Sequence, residues 1–138
     1  MTARGLRNLN PGNLRHGNKW QGLAQEQTDS AFCQFESMEY GCRALMKTLQ
    51  TYHNKYGLDN INGIIARWAP TNENDTMSYI NSVSKRLGVN PKESLDLEHN
   101  PKFYLELAKA IAIHENGREA LDISDETWNK AYELAFNA

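Results

Sequence analysis

The segment Phe103–Ile113 constrains the fold more than any other. Phe103, Leu105, Leu107, Ala108, Ala110, Ile111, Ala112 and Ile113 leave almost no polar face at helical spacing. A helix that is apolar nearly all round belongs inside a protein rather than on its surface. The rest of the chain is therefore expected to wrap around it. Asn100 is placed to cap this helix, with Pro101 at its first position. Its far end reads His114-Glu115-Asn116-Gly117. A helix C-terminus carries partial negative charge and disfavours an ionised carboxylate, and burial adds to that effect. A carboxylic acid that keeps its proton near neutral pH is what a glycosidase needs to protonate a leaving oxygen. The ordinary alternative is a solvated Glu beside a glycine cap.

At 138 residues the chain reads as one domain, 1–138, large enough for a substantial core. Fifteen basic and 17 acidic residues give a net charge of −2, which supplies no electrostatic footprint for nucleic acid. No apolar run reaches the ~18 residues of a membrane span. Met1–Arg7 has two arginines but no apolar core, so no Sec signal is expected. Cys33 and Cys42 are read as free thiols. The four scattered histidines show no zinc spacing. No Gly-rich phosphate loop, nucleophile elbow or HExxH is present, and no cofactor is expected.

Along the chain, residues 1–36 are irregular and rich in Gly and Asn, with turn signals at Asn10-Pro11-Gly12-Asn13 and Gly17-Asn18. Trp20–Leu23 and Phe32–Phe35 are candidates for a small β-hairpin. Ser37 is an N-cap candidate for a helix over Tyr40–Tyr56, with Glu39 near its start. Leu45, Leu49 and Tyr52 form the core-facing stripe, and Gly57 ends it. A short helix over Asn60–Arg67 stops at Ala69-Pro70. Asn74 or Asp75 caps the next, which closes at Gly88. A last helix runs Ser124–Phe136 from a pattern close to a capping box. The predicted fold is mainly α (α+β): five or six helices around a buried central one, with a small β-hairpin.

Several further residues carry candidate chemistry. Glu39 in a first helical turn favours its ionised form, although complementing the helix dipole is the common reason for a Glu there. Asn8, Asn10, Asn13, Arg15 and Gln34 give the N-terminal segment paired donors and acceptors that suit sugar hydroxyls and N-acetyl groups. Amides are also ordinary turn residues. Trp20, Trp68, Trp128, Tyr40 and Tyr79 offer flat walls for sugar rings, with core packing as the competing role. The polar loop around Glu73, Asn74 and Asp75 reads either as a capping loop or as part of a site.

Arg4-Gly5-Leu6-Arg7-Asn8-Leu9-Asn10-Pro11-Gly12-Asn13-Leu14-Arg15 resembles the "RGIRNNNPGNIR" opening of a family of proteins from bacteriophages and prophages. The likeness continues through Trp20-Gln21-Gly22, Phe35–Leu45, Arg67-Trp68-Ala69-Pro70 and His114–Gly117, and covers about residues 4–120. It implies a virion-associated protein with peptidoglycan-degrading activity. A second likeness is to the lysozyme superfamily, in circularly permuted order. Lysozyme-like enzymes put a catalytic Glu at the end of a buried helix, followed by an Asn-rich segment, a hairpin and a long helix. Here the helix ending at Glu115 comes late, and the Asn-Pro-Gly-Asn segment and long helix come early. The departure from lysozymes is the lack of a clear second carboxylate after the Glu, so hydrolysis and transglycosylation both stay open.

These likenesses imply cleavage between N-acetylmuramic acid and N-acetylglucosamine, with Glu115 as general acid/base and Glu39 as the second group. Asn10, Asn13, Arg15, Gln34, Tyr40, Trp68 and Asn74 are the expected glycan-binding residues. The implied partners are peptidoglycan glycan strands, with other virion proteins or an immunity protein as further candidates. Without a signal peptide, the protein would be made in the host cytoplasm and reach the wall through a virion, a holin or a secretion system. The competing classes are a non-catalytic virion or peptidoglycan-binding module, and an interbacterial lytic effector.

Overall fold

In the computed structural model, residues 2–70 and 73–136 are described, except for the side chains of Glu73 and Asn74. Six α-helices run in the order α1 (Arg4–Arg7), α2 (Met38–Tyr56), α3 (Ile61–Trp68), α4 (Glu73–Leu87), α5 (Lys102–Asn116) and α6 (Asp125–Phe136). A 3-10 segment, Gly117–Asp122, links the last two. The fold is mainly α, as the periodicity predicts.

Helix α5 is the axis of the molecule. Tyr104, Leu105, Leu107, Ala108, Ala110, Ile111 and Ala112 are buried along it, and it packs against α1, α2, α4 and α6. Leu45, Met46 and Leu49 of α2, Ile61, Ile64 and Ile65 of α3, Ile80 and Val83 of α4, and Trp128 of α6 complete the core. Trp128 is thus a core residue and forms no wall of a site.

The local signals explain the ends of most elements. Ser37 Oγ accepts from Tyr40 N, and Asn60 Oδ1 accepts from Gly63 N at 2.7 Å. Ser124 Oγ likewise accepts from Thr127 N. Each satisfies a donor that the first helical turn leaves orphaned. Gly57 and Gly88 sit at φ 66° and 69°, just past α2 and α4. Asn100, expected to cap α5, does not do so through its side chain. The start of that helix is closed instead by backbone bonds from Phe103 N to Asn100 O and from Tyr104 N to Pro101 O. Neither Asn74 nor Asp75 is the N-cap predicted for α4, because the helix already runs from Glu73 and both lie within its first turn.

Before α2 the chain is held differently. The predicted hairpin is reduced to two isolated antiparallel bridges, Arg15 with Phe32 and Leu23 with Phe35. Side chains do much of the remaining work. Arg4 makes a bidentate pair with Asp29 at 2.6 and 2.7 Å. Asp29 also accepts from Asn8 and from the N–H groups of Ala31 and Phe32. A small apolar cluster of Cys33, Phe35 and Ala44, flanked by Trp20 and Tyr40, seats the segment on α2. The approach is close: a Cβ on Gly41 would lie 1.8 Å from the Leu9 carbonyl oxygen. Any side chain there would push the segment off the helix.

Candidate functional site

The C-terminal end of α5 meets the Asn10–Asn13 turn, and the meeting is fixed by hydrogen bonds. Asn116, buried, donates its amide to Pro11 O at 2.8 Å and to Ala112 O at 2.9 Å. Asn13 adopts φ 51°, a left-handed conformation that Asn tolerates better than most residues. Its Nδ2 donates to Glu115 Oε1 at 2.9 Å. The carboxylate of the last helical turn is therefore held by a residue 102 positions earlier in the chain.

The other oxygen is held from α4. Tyr79 Oη donates to Glu115 Oε2 at 2.8 Å, and Trp68 Nε1 donates to the same Tyr79 oxygen at 3.1 Å. An indole N–H can only donate, so Trp68 fills the phenol's acceptor side and Tyr79 directs its single proton at Glu115. Tyr79 is 4% exposed and stacks on His114 with ring centroids 3.7 Å apart. Burial first, and the neighbouring Glu115 charge second, push its hydroxyl above the usual phenol range and keep it a donor.

Glu115 opens onto a cleft of about 830 Å³. Its lining joins Asn13, Arg15, Lys19, Trp20 and Phe32 of the N-terminal segment to Tyr52 and Tyr56 of α2 and Arg67 and Trp68 of α3. Thr48 and Thr51 of α2 add hydroxyls. Among the described residues lining the cleft, Glu115 is the one carboxylate. The arrangement is a half-buried acid held by neutral donors, facing a groove of aromatic and polar side chains.

The structure brings together Asn13, Arg15, Trp68 and Glu115 of the residues singled out from sequence. It does not bring Glu39 to them. Glu39 lines a separate depression with Glu126, Asn129, Lys130 and Glu133, between α2 and α6. Its place in the first turn of α2 suits the helix dipole, and nothing here pairs it with Glu115. Asn10 is fully buried and committed inward: its amide donates to Leu14 O and Cys33 O, and its Oδ1 accepts from Leu14 N. Gln34 ties Asn8 to Thr28 within the N-terminal segment. Tyr40 packs with the small apolar cluster. Asn74 lies outside the described side chains. Sequence reasoning missed the role of Tyr79 at Glu115, and it missed Arg67 and Tyr52 as cleft residues. The aromatic residues at 52 and 56 and the Arg at 67 carry no signal of their proximity in sequence.

No protein-family model matches the chain. It is similar to Protein P5 of Pseudoalteromonas phage PM2, with 42% identity over 119 residues that cover 83% of this chain and 72% of the phage protein.

Proposed function

The chain belongs to the family of Protein P5 of Pseudoalteromonas phage PM2, and we propose that it cleaves the glycan strands of peptidoglycan, with Glu115 as the general acid and base. The observation that carries this reading is the fixed carboxylate: Glu115, held at both oxygens by Asn13 and Tyr79, in the lining of an open cleft. A protein that merely bound a glycan has no need of a positioned acid.

In this mechanism Glu115 passes a proton to the oxygen between N-acetylmuramic acid and N-acetylglucosamine. The C1–O bond breaks, its electron pair leaves with that oxygen, and the muramic ring becomes an oxocarbenium ion. Water, or a hydroxyl of the same sugar, then attacks C1 and returns its proton to the Glu115 carboxylate. Asn13 and Tyr79 keep the carboxyl in one rotamer and stabilise the charge it carries between the two transfers. Trp20 and Trp68 supply apolar faces for the sugar rings.

The reading includes a lysozyme-like arrangement in permuted order. Such a permutation requires the late helix end and the early Asn-Pro-Gly-Asn turn to be neighbours. The bonds from Asn13 to Glu115 and from Asn116 to Pro11 support that requirement.

The test is the clearing of purified Gram-negative sacculi by the wild type and by Glu115→Gln, followed by mass spectrometry of the released muropeptides. The expected result is clearing by the wild type and a loss of about 10²–10⁴-fold in the variant, the usual worth of a positioned acid. A 1,6-anhydro end would identify transglycosylation and a reducing end hydrolysis. Sacculi left intact by the wild type would overturn the reading in favour of a non-catalytic virion component.

A further inference from the structure

We infer that the cleft takes a glycan bearing carboxylate substituents, and that Arg15 of the N-terminal segment and Arg67 of α3 are the residues that read those carboxylates. The inference rests on the cleavage reading for the bond attacked, though not for binding itself. The chain as a whole is slightly acidic, with a net charge of −2. The described lining of the cleft runs the other way: Arg15, Lys19 and Arg67 stand against the single carboxylate of Glu115. Glu115 is already engaged at both oxygens. None of the three cations forms an ion pair among the described residues, whereas Arg4, nearby in sequence, is fully paired with Asp29.

The two arginines are also poised. The Arg67 guanidinium lies 3.6 Å from the centroid of the Tyr56 ring and 5.4 Å from that of Tyr52. The Arg15 guanidinium lies 4.9 Å from the centroid of Phe32. A guanidinium already resting on a ring has less freedom to lose on binding, and its planar fork matches a carboxylate with two parallel hydrogen bonds. Aromatic faces and threonine hydroxyls between them suit sugar rings. Three cations contributed by two separate parts of the chain fit anionic groups spaced along a mostly neutral polymer. They do not track a nucleic-acid backbone, with its charge at every nucleotide.

The test measures binding of Glu115→Gln, which removes turnover, to three probes. The first is peptide-free glycan strands from sacculi, which carry a lactyl carboxylate on every second sugar. The second is the same strands with those carboxylates converted to methylamides, and the third is chitohexaose. Binding to the carboxylated strands is expected to be about tenfold or more tighter than to either neutral probe at low salt, with the gap closing as salt rises. Arg15→Gln and Arg67→Gln, checked for unchanged melting temperature, are each expected to remove most of the gap. Equal affinity for the amidated strands, no binding to any glycan, or equally tight binding to duplex DNA would each overturn the inference. The cleavage reading fails separately. Selective binding without fragment release by the wild type removes the enzyme and leaves the subsite. Release from amidated strands at an undiminished rate removes the subsite and leaves the enzyme.

Discussion

Two regions of this molecule are held by different forces. From α2 onward, helices bury apolar stripes around α5, and stability comes from area removed from water. Ahead of α2 there is one short helix, two bridge pairs and a small apolar cluster in which Cys33 and Phe35 close on Ala44 of α2. There, Asn10, Asp29 and Gln34 take up backbone groups that no sheet or helix satisfies, and Asn8 braces the side chains of Asp29 and Gln34. The difference teaches where a site is assembled: at the seam, where the polar segment lays one amide against the end of the apolar helix.

The sharpest probe of the contrast is Ile111→Ala, at the fully buried centre of α5. It should cost about 2–5 kcal/mol of global stability, read by chemical denaturation. A loss under about 1 kcal/mol would mean that α5 is not the axis of the core. Next is Asn10→Ala, which strands the Leu14 N–H and the Cys33 carbonyl, while the Leu14 carbonyl keeps the Cys33 N–H. At about 1–3 kcal/mol for each buried group left unpaired, it should release residues 2–36 to rapid hydrogen exchange while the helices stay protected. An equal rise in exchange across the helices would dissolve the distinction between the two regions.

Tyr79→Phe tests the seam itself. It removes one donor from Glu115 and leaves the Trp68 indole N–H without its acceptor. On the proposed cleavage reading, activity should fall about tenfold, the size of one hydrogen bond to a charged group, with KM little changed. The smallest effect concerns acid. Asp29 is held well below the usual carboxylate range, first by the Arg4 guanidinium, then by Asn8 and the N–H groups of Phe32 and Ala31. Because the folded value lies below the unfolded one of about 3.9, the pair contributes stability above that pH. The contribution is lost as the pH falls below about 4. The N-terminal segment should therefore loosen first on acidification, seen as amide exchange or near-ultraviolet dichroism. Asp29→Asn should flatten that pH dependence, and an unchanged profile in the variant would remove Asp29 as its cause.

The helical body was largely legible. Ser37, Asn60 and Gly57 punctuate α2 and α3, and the all-round apolar character of α5 announces its place. These signals are local, and local physics reads them. In the candidate site, Asn13, Arg15 and Trp68 were legible as candidate glycan-binding residues, but Glu115 was the clearest, because an acid closing an apolar helix stands out. Its holders did not. Asn10 and Asn13 share one turn and one chemistry, yet one faces inward to Leu14 and Cys33 while the other faces Glu115. Backbone conformation separates them, and composition carries no trace of it. Tyr79 looks like any buried ring on α4 until Trp68 and Glu115 are placed on either side of its hydroxyl. Glu39 was overvalued for a matching reason: the dipole that favours its charge acts wherever α2 begins, with or without a substrate nearby.

The bond between Asn13 and Glu115 has a consequence for the ribosome. Asn13 emerges about a hundred residues ahead of the carboxylate it holds, and contacts of such long sequence separation form late and slowly. During synthesis the Asn10–Asn13 turn has no α5 to lean on. The acid cannot meet Asn13 until residue 115 has emerged and α5 has formed, so translation itself times the assembly of the site.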